Sequence, residues 1–216
     1  AELSDIGMKA VRDCIKEGLM EYEVAAEAMH AMMQNGAEDR AFTTSVASGP
    51  RSAYPHAGVT ERKIRKGDFV TVDLGANFKG YRSDLTRTFI MGEPTEEQVK
   101  IYQIVLRANE MALPEIREGV KGSVVDGVAR KIIVESVYGQ NFVHSLGHGV
   151  GLEVHEPPTL SETSDDTLKI GNVVTNEPGI YVPGYGGARI EDTVLVTNLG
   201  PEPLTRFEKG LNDICV

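Results

Sequence analysis

The stretch TVDLGANFKGYRSDLTR, residues 71–87, decides how the rest of the chain is read. An alternating apolar run, Phe69, Val70 and Val72, ends in Asp73; a Gly- and Asn-bearing connection follows, and a second run from Leu85 to Ile90 begins just after Asp84. This pattern predicts a β-hairpin with a carboxylate near each end of its connection. The two acids stand eleven residues apart, so strict two-residue alternation puts them on opposite faces. A bulge or the turn itself, made feasible by Gly75 and Gly80, has to restore the register. Two carboxylates brought together repel, which either protonates one of them or recruits a metal. Read alone, the pair fits solvated turn acids equally well.

Around this stretch, 216 residues with 41% hydrophobic and 25% charged positions describe a soluble globular protein, read as one compact unit over residues 1–216. A net charge of −10 argues against nucleic-acid or anionic-membrane partners and suits cation binding. No apolar run approaches the ~18 residues that span a bilayer, and no charged-then-apolar leader opens the chain, so a cytoplasmic protein is expected. Cys14 and Cys215 are too few for a disulfide framework and have no metal-type spacing. The chain opens on Ala1, already close to a helix, which raises the expectation that an initiator Met or an upstream N-terminal domain has been removed.

In chain order, Ser4 is expected to cap a helix carrying Ile6, Val11, Cys14 and Ile15 and ending at Gly18. A second helix runs from about Glu21 to Asn35-Gly36, with Met29, Met32 and Met33 read as core rather than ligands and His30 read as structural. Phe42–Ser48 reads as a strand, followed by a loop through Pro55-His56-Ala57-Gly58. Thr95 and Gln98 have capping-box spacing before a helix with Val99, Ile101, Ile104, Val105 and Leu106, expected to reach about Gly119 with a kink at Pro114. Ser123 and Asp126 are expected to cap another helix, with Val128, Ile132, Ile133 and Val137, ending at Gly139. Phe142 to Thr205 reads as strands and Gly/Pro turns.

The two halves repeat. Gly67 to Asp73 aligns with Gly171 to Glu177 at a constant offset of 104, each copy following a helix pair and ending in a carboxylate. Farther along, Arg82-Ser83-Asp84 answers Arg189-Ile190-Glu191, the second connection being three residues longer. A duplicated helix-pair-plus-sheet unit related by a pseudo-twofold gathers four carboxylates at one axis. Such acids demand counter-charge, since an uncompensated buried acid costs several kcal/mol and protonates instead. Two divalent cations supply it, and His148, with Gly147 and Gly149 on either side, offers a nitrogen ligand on a backbone that can approach closely. The oxygen-rich set favours Mn(II) or Co(II), with Fe(II) and Zn(II) as further candidates.

Asp73, Asp84, His148, Glu177 and Glu191, in that order, with the strings VDLGA, RSDLTRTF, GHGVG, HEPP, NEPGIY and RIEDT, resemble the pita-bread metallopeptidases over essentially the whole chain. That family includes methionine aminopeptidase, aminopeptidase P, prolidase and the metal-free creatinase. The resemblance implies a pseudo-twofold α/β fold around a dinuclear metal site and peptide hydrolysis by a metal-bridging hydroxide. By the same analogy Asp73 and Glu177 each hold mainly one metal, Asp84 and Glu191 bridge both, and His148 completes the ligand set of the second metal. It also implies that His155 hydrogen-bonds the substrate carbonyl, that His56 lines the side receiving the residue after the scissile bond, and that Arg189 braces the carboxylates. His144 has no such counterpart and is read as a structural hydrogen-bonding residue.

The short connection between Glu177 and Glu191 looks like the Xaa-Pro branch, which implies a small peptide with proline at its second position as the partner and allows a homodimer. A methionine aminopeptidase-like enzyme is the nearest alternative, and an inactive peptide-binding module of the same fold is the alternative of another class. One departure stands out: several prolidases have Arg shortly after the His-Glu motif to hold a dipeptide's carboxylate, and Thr159 follows HEPP here.

Overall fold

The computed structural model describes all 216 residues, Ala1 to Val216. Each half begins with a helix pair. In the first, α1 (Glu2–Cys14) buries Ser4, Gly7, Met8 and Val11, and α2 (Glu21–Gln34) buries Glu21, Val24, Ala28 and Met32. This i, i+3/i+4 spacing lays one buried stripe along each helix. Gly7 makes room for Met32 of α2, because a Cβ there would sit 2.8 Å from Met32 Cγ.

Strands β1 (Asp39–Arg40), β2 (Ser45–Ser48), β3 (Phe69–Leu74), β4 (Ala76–Phe78), β5 (Tyr81–Arg82) and β6 (Leu85–Ile90) complete the half. They form two antiparallel sheets, ordered β2-β3-β6 and β1-β4-β5. The second half repeats the plan. Its helices are α3 (Glu96–Ala112) and α4 (Gly122–Val134). Its strands are β7 (Gly147–Gly149), β8 (Glu156–Leu160), β9 (Val173–Asn176), β10 (Gly179–Val182), β11 (Gly186–Arg189), β12 (Asp192–Thr197) and β13 (Gly200–Pro203). These give a sheet ordered β13-β12-β9-β7-β8 and a β10-β11 hairpin.

The halves share one continuous apolar core, and threonines stitch their sheets together. Thr193 Oγ1 donates to the Asp84 carbonyl at 2.7 Å, Thr88 Oγ1 donates to the Arg189 carbonyl at 3.0 Å, and the Glu191 amide donates to the Thr86 carbonyl at 3.1 Å. β11 carries glycines at this seam for lack of room: a Cβ on Gly187 would lie 2.7 Å from the carbonyls of Ile180 and Ser52.

Several local expectations are corrected. β3 and β6 pair without a bulge, Asp73 opposite Thr86. Asp84, two residues before Thr86, therefore has the parity of Asp73's partner. The segment between the acids is not a turn but the separate β4-β5 hairpin on β1, so alternation does not run through it. Ser4 lies inside α1, buried against Ser83 at 2.7 Å between hydroxyls, and the helix ends at Cys14. Of the three methionines only Met32 is core; Met33 is 47% exposed and His30 is exposed. The strand expected from Phe42 starts at Ser45. Thr95 and Gln98 do form the capping box, but Pro114 stops α3 through a short 3₁₀ turn, Leu113–Glu115, rather than kinking it. Ser123 lies within α4, whose cap is Lys121, and Asp126 is buried beneath Arg130 instead of capping. α4 ends at Val134, leaving Val137 outside and 75% exposed.

Candidate metal centre

The four acids stand at the inner strand ends. Asp73 is in β3, Asp84 directly precedes β6, Glu177 directly follows β9 and Glu191 directly precedes β12. His148, in β7, joins them from the adjoining strand. All five line one cleft of about 850 Å³, together with His56, His155 and Arg189.

Oxygen or nitrogen atoms of Asp84, His148 and Glu191 lie within 4.8 Å of one another. His148 Nε2 is 3.3 Å from Glu177 Oε1 and 3.8 Å from Asp84 Oδ2. Its Nδ1 is 3.0 Å from the Gly149 carbonyl. A carbonyl only accepts, so Nδ1 carries a proton; Nε2 donates to Glu177 when the ring is protonated and has its lone pair free for a cation when the ring is neutral. The flanking glycines are a steric requirement: a Cβ on Gly147 would lie 2.1 Å from the Thr175 carbonyl, and one on Gly149 would lie 2.4 Å from that of Glu156.

A ring of hydrogen bonds aims the acids. Thr86 Oγ1 donates to Glu191 Oε2 at 2.6 Å and accepts from Arg189 Nε at 3.1 Å. Thr175 Oγ1 donates to Glu177 Oε1 at 3.0 Å. Arg189, almost wholly buried, donates to Asp73 Oδ2 at 2.7 Å, to Tyr181 Oη at 3.0 Å and to the Pro55 carbonyl at 3.2 Å. Tyr181 Oη, accepting from Arg189, has its own proton free for His144 Nε2 at 2.8 Å, while His144 Nδ1 donates to the Ser145 carbonyl at 2.8 Å. Burial holds the Tyr181 phenol up at about 12 and lowers His144, so this chain keeps its neutral forms.

Burial, reinforced by the neighbouring acids, raises Asp84 and Glu191 well above the ordinary carboxylate range, and burial raises Asp73 as well. Glu177 goes the other way. Burial works against it, but the bond to His148 and the charges around it hold the carboxyl down at about 2. His148 is correspondingly raised despite its burial. Burial and the neighbouring His148 lower His155, whose ring centre lies 4.0 Å from that of His148.

The residues fit a divalent cation. Arg189 is the one permanent cation lining the cleft, against the four acids gathered at its base. Asp73 Oδ1 is buried with no hydrogen-bond partner, an acceptor a metal would satisfy. Carboxylates with one imidazole are hard donors of the kind that hold such ions.

A family-wide sequence profile, that of metallopeptidase family M24, matches residues 1–198. The chain belongs to this family. An Xaa-Pro dipeptidase from Pyrococcus furiosus is 49% identical over 210 residues, covering 97% of this chain and 60% of the relative. Among solved structures, an Xaa-Pro dipeptidase from Bacillus anthracis superposes with a TM-score of 0.97 at 45% identity, covering 100% of this chain and 60% of its own. An X-Pro aminopeptidase from Thermotoga maritima gives a TM-score of 0.95 at 42% identity, again covering 100% of this chain and 60% of its own. The chain thus spans about 60% of the length of the relatives it matches. The pita-bread α/β architecture expected from the sequence is the fold this M24 chain has. Membership of M24 implies divalent metals. No helix is long and apolar enough to cross a membrane.

Reading the sequence did not find Thr86, Thr175 or Tyr181, which orient the acids and Arg189. Their signal was present but weak: Thr86 lies inside RSDLTRTF and Tyr181 closes NEPGIY, both inside matched strings.

Proposed function

We propose that this chain is the catalytic portion of a metal-dependent peptidase that hydrolyses the bond between an N-terminal residue and proline, acting in the cytoplasm. The observation that carries the reading is the convergence of Asp84, His148 and Glu191 within 4.8 Å in one cleft, in a chain 49% identical to an Xaa-Pro dipeptidase. Mn(II) or Co(II) suits the donor set best.

In this reading Asp73, Asp84, His148, Glu177 and Glu191 would hold two divalent ions. When bound, such metals supply Lewis-acid polarisation of a carbonyl and acidify water. The chain's own residues do the rest. His155, kept neutral by its lowered pKa, offers an N–H to the scissile carbonyl as charge develops on its oxygen. Arg189 fixes Asp73 through their 2.7 Å bond and, through the Pro55 carbonyl, steadies the loop bearing His56, which receives the proline side. Thr86 and Thr175 keep Glu191 and Glu177 aimed inward.

Substrate length turns on Thr159. The relatives carry both names, Xaa-Pro dipeptidase and X-Pro aminopeptidase. The cleft's one permanent cation is already committed to protein partners, which leaves a dipeptide's free carboxylate without a guanidinium.

The test is turnover of Xaa-Pro against Met-Xaa peptides after chelation and defined reloading with Mn(II) or Co(II). Hydrolysis confined to Met-Xaa would replace the proposal with a methionine aminopeptidase-like activity. A protein that elemental analysis finds metal-free after reloading, with no turnover, would make it a peptide-binding module.

A further inference from the structure

The loop between β2 and β3 brings His56 to the cleft, and one buried carboxylate gathers several of the bonds that hold it. Glu21, at the start of α2, is 0% exposed. It accepts from the Ser48 amide and hydroxyl, each at 2.8 Å, and from the Thr60 amide at 3.0 Å and hydroxyl at 2.6 Å. Ser48 ends β2 and Thr60 lies four residues beyond His56, so Glu21 ties together the two sides of the segment that carries His56. Arg51 Nε adds a bond to Glu21 Oε2 at 3.1 Å, and the Arg51 NH2 group donates to the Ala57 carbonyl at 2.8 Å.

On the other flank, Arg189 donates to the Pro55 carbonyl at 3.2 Å. The carbonyls of the residues before and after His56, Pro55 and Ala57, are therefore gripped by guanidiniums, each neutralised by a carboxylate, Asp73 on one side and Glu21 on the other. A buried ion pair is a poor source of net stability, and apolar replacements often serve as well. What it does supply is direction, since the planar Arg51 fork binds the carboxylate and the carbonyl at once. Holding a site side chain within about 0.5 Å of its working position needs such second-layer support.

We infer that Glu21 and Arg51 are a positioning pair for His56: they fix the loop so that the imidazole meets the residue following the scissile bond. The kinetic part of this inference rests on the peptidase reading above. Arg51 is the better probe, since its side chain is 28% exposed and its loss leaves Glu21 four other donors.

The experiment is a double-mutant cycle in the metal-loaded protein with an Xaa-Pro peptide, combining Arg51→Met with His56→Ala. Arg51→Met alone is expected to lower kcat/KM about tenfold with metal content unchanged, and by less than about twofold when His56→Ala is already present. Arg51→Lys, which keeps the charge beside Glu21 but cannot fork to Ala57, behaves like Arg51→Met. Hydrogen exchange over residues 54–60 rises in both variants and needs no turnover to read. Additive losses in the cycle, or unaltered kcat/KM in Arg51→Met, overturn the inference. If the unmutated protein hydrolyses none of the peptides, the peptidase reading fails by itself and exchange decides: raised exchange upholds the clamp and unchanged exchange refutes it.

Discussion

Replacing Thr86 by valine removes one hydroxyl, at nearly constant shape, from behind the carboxylate cluster. That hydroxyl donates to Glu191 Oε2 at 2.6 Å and accepts from Arg189 Nε at 3.1 Å, so it ties a proposed metal-binding acid to the one permanent cation of the cleft. A hydrogen bond to a charged group is worth about 1.5–3 kcal/mol, and the bond to Glu191 matters most when that acid is ionised on a metal. Thr86→Val should therefore weaken divalent-metal affinity roughly 10- to 100-fold, in line with the usual effect of losing an outer partner of a metal ligand. It also strands the buried Arg189 Nε, at a cost of about 1–3 kcal/mol of stability. Thr86→Ser, which keeps the hydroxyl and loses only a methyl, should retain most of the affinity. Competition against a chelating indicator gives the affinities, and chemical denaturation gives the stabilities. Valine-variant affinity within threefold of the unmutated protein would refute the argument, because Glu191 would then be aimed by something other than Thr86.

Asp84→Ala or Glu191→Ala should abolish turnover and lower metal content by elemental analysis; full turnover of either after defined reloading would remove the two-metal reading. His155→Ala should lower kcat by on the order of 10²-fold with metal stoichiometry intact, and loss of a metal would instead make His155 a ligand. An Xaa-Pro-Xaa tripeptide should be cleaved with a kcat/KM at least equal to that of the matching dipeptide, with Thr159→Arg shifting preference toward the dipeptide; a dipeptide preference above about tenfold would reveal a carboxylate clamp elsewhere. Metal loading near neutral pH should release protons, because Asp84, Glu191 and His148 are all raised in the metal-free protein and give up protons to bind. The same shifts mean that above the ordinary carboxylate range the native metal-free state binds more protons than the unfolded chain. Its stability should then fall as pH rises, and melting curves with and without metal check both statements.

The sequence by itself determined the duplicated plan and supplied the candidate residues of the site. The 104-residue offset between the halves and the five metal-type side chains are read directly from residue order. Chemistry at those positions depends on side-chain identity, and identity is what a sequence records. The limits of the helices were less legible. Ser4, Ser123 and Asp126 have the composition of caps, yet all three lie inside their helices, Ser4 buried against Ser83 and Asp126 buried beneath Arg130. Local propensity of about 1 kcal/mol yields to tertiary packing worth several. Only the tertiary structure decided the register of Asp73 and Asp84, because the segment between them is a small sheet of its own on β1 rather than a turn. It alone joined Thr86 to Glu191 across 105 residues, Arg189 to Asp73 across 116, and Glu21 to Thr60 beneath the His56 loop. Such bonds have no sequence period, since they form between elements whose separation along the chain carries no information about their distance in space.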